Sequence, residues 1–257
     1  MTWFLQMHQA TIGYFTGRWD EALALVAGLP EIEEAPHARA SILVGTAIRM
    51  YIEAERGRAE EVARLLTVFA GLESSADVQE VTLATAVSAT AARARGDHGA
   101  ALGLVLEGLR RGTSLPLSHP NVRSMWLEAV ESAVRLEDRE AVEELVAMAG
   151  NLPQGILPPH TRASAARARA RLAWWGDEHE AGERESRTAE GVFREIGAPF
   201  WLGVTLLERA EWLSRQGRHD EASAPLGEAQ EIFGRLGATP WLERAKRLAP
   251  AVAEAVR

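Results

Sequence analysis

LLERAEWLSRQGRHDEASAPLGEAQEIF, running from Leu206 to Phe233, sets apolar residues at helical spacing on both sides of one glycine. Leu206, Ala210 and Leu213 precede Gly217, and Ala222, Leu226, Ala229 and Phe233 follow it, so each group lines one face of a helix. Gly217 between the two faces predicts helix, turn, helix. The residue that closes a helix often takes a left-handed conformation that costs side-chained residues energy, and glycine avoids that cost.

The same turn recurs along the chain as TGRWDEAL at Thr16, ERGRAEEVA at Glu55, ARGDHGAAL at Ala94, RLEDREAV at Arg135, WWGDEHEA at Trp174 and RQGRHDEA at Arg215. The turn positions read as Gly17, Gly57, Gly96, Glu137, Gly176 and Gly217, at intervals of 40, 39, 41, 39 and 41. Glu137 departs from glycine and is expected to make a different turn. A second phrase keeps the register: PHARAS from Pro36 and PHTRAS from Pro159 lie three periods apart, with a weaker echo, HPNVRS, at His119. A third pair, IGAPFWL from Ile196 and LGATPWL from Leu236, marks the junctions between units. Self-similarity at a fixed period of this length is the signature of stacked helical repeats.

Pro36, Pro120, Pro159, Pro199 and Pro240 stand where first helices would begin, and Ser74 with Asp77 reads as a capping box. No segment alternates with period two. The expected fold is all-α, one repeat domain over 1–257, with units at about 1–30, 31–72, 73–112, 113–150, 151–197 and 198–237 and a capping helix over 238–257. That last helix is expected to run from Pro240 to Ala249, where Pro250 would kink or end it.

Within each unit the pattern resembles the tetratricopeptide repeat (TPR). A small residue falls seven before the turn, as at Ala10, Ala89, Val130 and Ala210, and Ala or Val falls five after it, as at Ala22, Val62, Ala101, Val142, Ala181 and Ala222. Met50 and Arg169 depart from the small-residue position, and the units exceed the usual length of about 34 residues. The resemblance implies a right-handed α-solenoid of about six antiparallel helix pairs whose first helices line a concave binding surface. On that alignment the partner- or ligand-binding positions are Tyr51, Leu83, Thr90, Leu127, Glu131, Leu207 and Glu211, with Arg123, Trp126 and Arg162 beside them. Most inward positions, Ala54, Ala86, Ala166, Ala170 and Val204 among them, are small and apolar, which suits a hydrophobic helix or a small apolar ligand. The stretch from Phe193 to Ala245 also resembles the C-terminal helical region of large bacterial ATPase-containing LuxR-type transcriptional regulators and related cyclase fusions. That likeness implies a role in signal transduction, with another protein or another module of the same polypeptide as partner.

Composition limits the alternatives. Twenty-eight basic against 36 acidic residues give a net charge of −8, which opposes generic binding to nucleic-acid phosphates. Lys246 is the sole lysine and follows Ala245, so no phosphate-binding loop of the Walker type is present. The chain has no cysteine, which excludes disulfides and thiolate metal sites and fits a reducing cytoplasm. Met1 to Gln9 carries no basic leader, and no apolar run approaches the roughly 20 residues of a membrane span. A cytoplasmic protein is expected.

No catalytic, metal or cofactor site is predicted. The histidines are scattered, mostly at turns, and the acids from Asp177 to Glu180 sit where a helix N-terminus favours them. Arg162, Arg167, Arg169 and Arg171 make one helix strongly basic; they would dock an acidic partner or pair with Glu180, Glu183 and Glu185 on the next helix. Arg39, Arg123 and Arg162 recur near three helix starts, as a ladder for an acidic segment or as fasteners of each unit to the preceding one. The tryptophans Trp126, Trp174, Trp175, Trp201 and Trp212 would fill the core or stack on a planar ligand. The expected function is a non-catalytic interaction or sensor scaffold, with a small-molecule effector sensor as the alternative.

Overall fold

The computed structural model describes residues 3–32, 34–110, 114–152 and 155–255. The unit boundary expected at 112–113 lies outside them. The described residues hold thirteen α-helices and no strand: α1 (Trp3–Phe15), α2 (Trp19–Ala27), α3 (Arg39–Glu55), α4 (Ala59–Leu66), α5 (Val78–Ala94), α6 (His98–Arg110), α7 (Pro120–Leu136), α8 (Arg139–Gly150), α9 (Pro159–Trp175), α10 (His179–Glu195), α11 (Pro199–Arg215), α12 (His219–Leu236) and α13 (Thr239–Ala255).

The helices form two compact units, Met1–Leu145 and Val146–Arg257. In the first, α1, α3, α5 and α7 pack each on the next, and α2, α4 and α6 each pack on the first helix of the following pair. In the second, α9, α11 and α13 pack in succession, with α10 against α9 and α11, and α12 between α11 and α13.

The turns obey one rule more closely than their sequences suggest. Gly17, Gly57, Gly96 and Gly217 have positive φ, and Glu137, at φ 56°, makes the same left-handed turn. In each, the amide after the left-handed residue reaches back to a carbonyl five residues earlier: Arg18 to Gly13 at 2.8 Å, Arg58 to Glu53 at 2.9 Å, Asp97 to Ala92 at 3.0 Å, Asp138 to Ala133 at 3.0 Å and Arg218 to Leu213 at 2.9 Å. This is the Schellman closure of a helix. The expectation of a different turn at Glu137 is therefore corrected. A second correction falls at the fifth turn, where Gly176 has φ −96° and Asp177, at φ 58°, is the left-handed residue, with Glu178 N bonded to Ala173 O at 2.8 Å. Aspartate tolerates this conformation better than most side chains. The turn residues are thus 17, 57, 96, 137, 177 and 217, at intervals of 40, 39, 41, 40 and 40.

This register aligns the core. Seven residues before each turn stand Ala10, Met50, Ala89, Val130, Ala170 and Ala210, none more than 1 % exposed. The apparent departure at Arg169 disappears, because Ala170 holds that place. Five residues after each turn stand Ala22, Val62, Ala101, Val142, Gly182 and Ala222, all buried. Small side chains there let the two helices of a pair approach closely.

A glutamate in left-handed backbone carries strain that glycine lacks. Glu137→Gly is expected to raise stability by about 0.5–1 kcal/mol and the unfolding midpoint by about 1–4 °C, as measured by calorimetry. An unchanged or lowered midpoint would show that the Glu137 side chain contributes contacts that outweigh its strain.

Helix starts follow the prolines, with Pro120, Pro159 and Pro199 opening α7, α9 and α11, and Pro36 opening a 3₁₀ turn ahead of α3. The capping box expected at Ser74 is displaced: Ser74 ends a 3₁₀ turn, and Asp77 caps α5 by accepting from Gln79 N at 2.8 Å. Pro250 neither ends nor replaces α13, which continues to Ala255; Val252, buried, gives the last turns a packing contact.

Candidate functional site

A cluster of buried charge lies in the first unit, on first helices only. Arg93 on α5 stands between Glu55 of α3 and Glu128 of α7, which lie about one period to either side of it in sequence. Its Nη2 donates to Glu55 Oε1 at 2.7 Å, its Nε to Glu128 Oε2 at 2.7 Å, and its Nη2 again to Glu128 Oε1 at 3.2 Å. Thr90 Oγ1, one turn earlier on α5, lies 2.9 Å from Glu128 Oε1. The three charged side chains are 10, 4 and 9 % exposed, in the order Arg93, Glu55, Glu128. Burial alone would favour loss of the guanidinium's charge; Glu128 and Glu55 outweigh it and hold Arg93 well above its ordinary range.

Two tyrosines complete the cluster. Burial, then the charges of Glu55 and Glu128, push the Tyr14 hydroxyl up against the opposing effect of Arg93. Burial likewise raises Tyr51, and Glu128 adds to it. Both therefore keep their protons. Ser124 lies near Tyr51 but bonds Pro120 O at 3.1 Å, and the buried Tyr51 hydroxyl has no hydrogen-bond partner of good geometry. The Tyr14 and Tyr51 rings lie 5.8 Å apart. Glu131, half-buried on α7, adds negative potential at Arg93. Three carboxylates thus surround one guanidinium, with two protonated phenols beside them.

His98, the first residue of α6, borders this cluster. Burial first, then the positive charges of Arg93 and Arg135, hold its imidazole below the ordinary range. The unfolded chain consequently binds the His98 proton at a higher pH than the folded chain does. Stability should fall as the pH drops from about 7 toward about 5, because over that window the unfolded state holds more protons. His119, depressed by burial and Arg123, adds in the same direction. His98→Gln should flatten part of this slope in urea midpoints measured across the window; an unchanged slope would remove His98 from the account.

Other expected site residues divide by burial. Tyr51, Thr90 and Glu131 belong to the cluster just described. All three stand six residues before their turns, as Arg171 and Glu211 do in the second unit. Leu83, Leu127 and Leu207 are core residues, and Trp126 is fully buried with its indole N–H given to Leu145 O at 2.9 Å, so none of the four offers an open face. Arg162 is exposed. Arg123 points back to Ser118 O at 3.5 Å. Arg39 pairs with Glu80 at 2.6 Å and so ties α3 to α5 of the following pair, not to the preceding unit as the fastener reading of the arginine ladder expects.

The basic helix α9 is only partly a solvated face. Arg169 reaches Glu185 on α10 at 2.9 Å, but Arg167 and Arg171 are buried. Arg167 lies 3.5 Å from Glu208 of α11 and stacks over Trp201, while Arg171 stacks over Trp175. Burial lowers Arg171, opposed by Glu208 and Glu211. Further along, Arg244 of α13 grips Glu211 through two bonds of 2.7 Å. Trp174 and Trp212 stack on each other at 5.1 Å.

Sequence reasoning missed Tyr14, Glu55, Arg93 and Glu128. Opposite charges somewhat less than one period apart on successive first helices were the available signal, since stacked repeats bring such positions together. Among the described residues no group of histidine and carboxylate side chains could hold a metal ion, and no helix is long and apolar enough to cross a membrane. Comparison of the sequence with models of known protein families and with curated proteins finds no match to either.

Proposed function

We propose that this chain is a non-catalytic scaffold of TPR-like repeats, a right-handed α-solenoid of six helix pairs closed by α13, which binds a protein or peptide on the face made by its first helices. The observation that supports this best is the six-fold recurrence of one closure with buried residues seven before and five after it, all of them small except Met50. Repeats so built present an extended surface, and binding is then a matter of shape and of the side chains at fixed register positions. In the first unit the half-buried ones are Tyr14, Tyr51 and Glu131, set beside the Arg93 network whose Glu55 and Glu128 are buried. An excess of carboxylate beside aromatic rings suits a segment carrying a cationic side chain better than the purely apolar ligand that the sequence suggested. The resemblance over Phe193 to Ala245 supports a place as the coupling arm of a cytoplasmic signal-transduction or transcriptional regulator.

A photo-crosslinking residue placed at Tyr51, and separately at Glu131, tests this in native cells, with exposed Leu104 on α6 as control. One discrete polypeptide adduct from the first two positions and none from the third supports the scaffold. Adducts from Leu104 alone would sink it. The second reading, a small-molecule effector sensor, is favoured by the buried Tyr51 hydroxyl, which has only Ser124 nearby and no hydrogen bond of good geometry. A small ligand retained in native mass spectra and lost in Tyr51→Phe would select that reading.

A further inference from the structure

We infer that the exposed face of α1 is a self-association surface, and that two copies of this chain meet through it about a twofold axis. The face consists of Phe4, Leu5, His8, Gln9 and Ile12, one side of a single helix. Phe4, Leu5 and Ile12 are 59, 49 and 53 % exposed, and the other large exposed apolar residues, such as Val68, Leu104 and Ile156, stand singly elsewhere. A groove of about 590 Å³ between α1 and α2 opens beside Ile12, lined by Gly13, Ala22 and Leu25 with Arg18 and Glu21 at its rim.

The repeat register shows that this is a packing face. Leu5 stands twelve residues before its turn, and its equivalents Gly45, Ala84 and Met125 are all buried. Ile12 stands five before, and its equivalents Ile52, Ala91 and Ser132 are buried too. Elsewhere in this unit a neighbouring helix or the chain just after it covers the face: Val26 of α2 and Leu29 beyond its end stand over Gly45, and Gly108 of α6 lies against Met125. At α1 the same positions meet water.

Charge argues for a second copy as the occupant. From Met1 to Gly17 the chain has no Asp, Glu, Lys or Arg, whereas a quarter of all its residues are charged and the net charge is −8. Two such chains repel over most of their surfaces, and this helix is where they can touch without opposing like charges. The strip is also self-complementary. Apolar residues stand at both ends, two helical turns apart, with His8 and Gln9 between them. An antiparallel copy therefore sets its Ile12 on Leu5 and its Leu5 on Ile12, the arrangement a twofold interface requires.

Sedimentation equilibrium of the full chain up to on the order of 100 µM, with Leu5→Glu, Ile12→Glu and, as control, Leu104→Glu, decides the matter. A dimer in the wild type and in the Leu104 variant that becomes monomer in both α1 variants, with unchanged circular dichroism, is the expected result. Both α1 side chains are exposed, so the variants should fold. A wild type that stays monomeric throughout the range overturns the inference and leaves the face to a different chain; a dimer indifferent to both α1 substitutions overturns it as well.

Discussion

Arg93→Met should lower the stability of the fold by about 3–5 kcal/mol, read as a reduced urea midpoint. The size follows from what the substitution leaves behind. Glu55 and Glu128 would remain buried, each having lost a charged donor at 2.7 Å, and a buried charge stripped of its partner costs far more than a solvated pair contributes. The same argument predicts a recovery. Adding Glu55→Gln and Glu128→Gln to Arg93→Met removes the uncompensated charges, and the triple variant should regain a large part of the loss. If Arg93→Met costs less than about 1 kcal/mol, the three side chains are solvated in solution and behave as a surface pair. The proposed binding face would then lose its fixed electrostatic centre.

How far such a cluster can be foreseen depends on which kind of signal encodes it. The helix pairs were legible because period and turn chemistry act locally: an apolar face on each side of Gly217 needs no knowledge of anything distant. The turn at Asp177 was misplaced by one residue because Gly176 precedes it, and glycine is the stronger marker of left-handed backbone even where it does not adopt it. That slip made Arg169 look like a departure and hid Gly182 from its column. The buried charges were legible only through their spacing between repeats, not on any single helix. Arg93, Arg167 and Arg171 look on their own helices like any solvated arginine, and only the meeting of first helices from adjacent pairs puts them out of water. The same limit applies to Tyr51, Thr90 and Glu131, whose place on a helix face shows in the sequence while the guanidinium beside them does not.

Gly182→Ala should destabilise the second unit by about 1–3 kcal/mol, although the substitution favours helix in isolation. Gly182 stands in the column where the other pairs carry Ala or Val, so the local backbone has no objection to a methyl group. The obstacle is Trp174 on the facing helix: a Cβ at Gly182 would lie 2.2 Å from both Cδ1 and Nε1 of its indole. The equivalent residues in other pairs, such as Ala54 and Val134, are smaller. Trp174 cannot simply turn aside, because its ring lies stacked on Trp212, which is covered in turn by the Arg218 guanidinium at 5.4 Å and flanked by His179. Moving it forfeits that stack, worth about 0.5–1.5 kcal/mol beyond the area it buries. Near-ultraviolet circular dichroism should therefore lose the signal of the coupled indoles along with the drop in melting temperature. Gly191→Ala on the same helix is the control, since nothing lies within 4 Å of a Cβ there; it should stabilise by up to about 1 kcal/mol. Pairing Gly182→Ala with Trp174→Val leaves two small side chains facing each other, as Val134 and Val142 do in α7 and α8, and should recover more stability than the two single changes predict if summed. Equal effects at Gly182 and Gly191, or strict additivity with Trp174→Val, would mean that the indole yields freely and that the small residue in this column is not what sets the approach of α9 and α10.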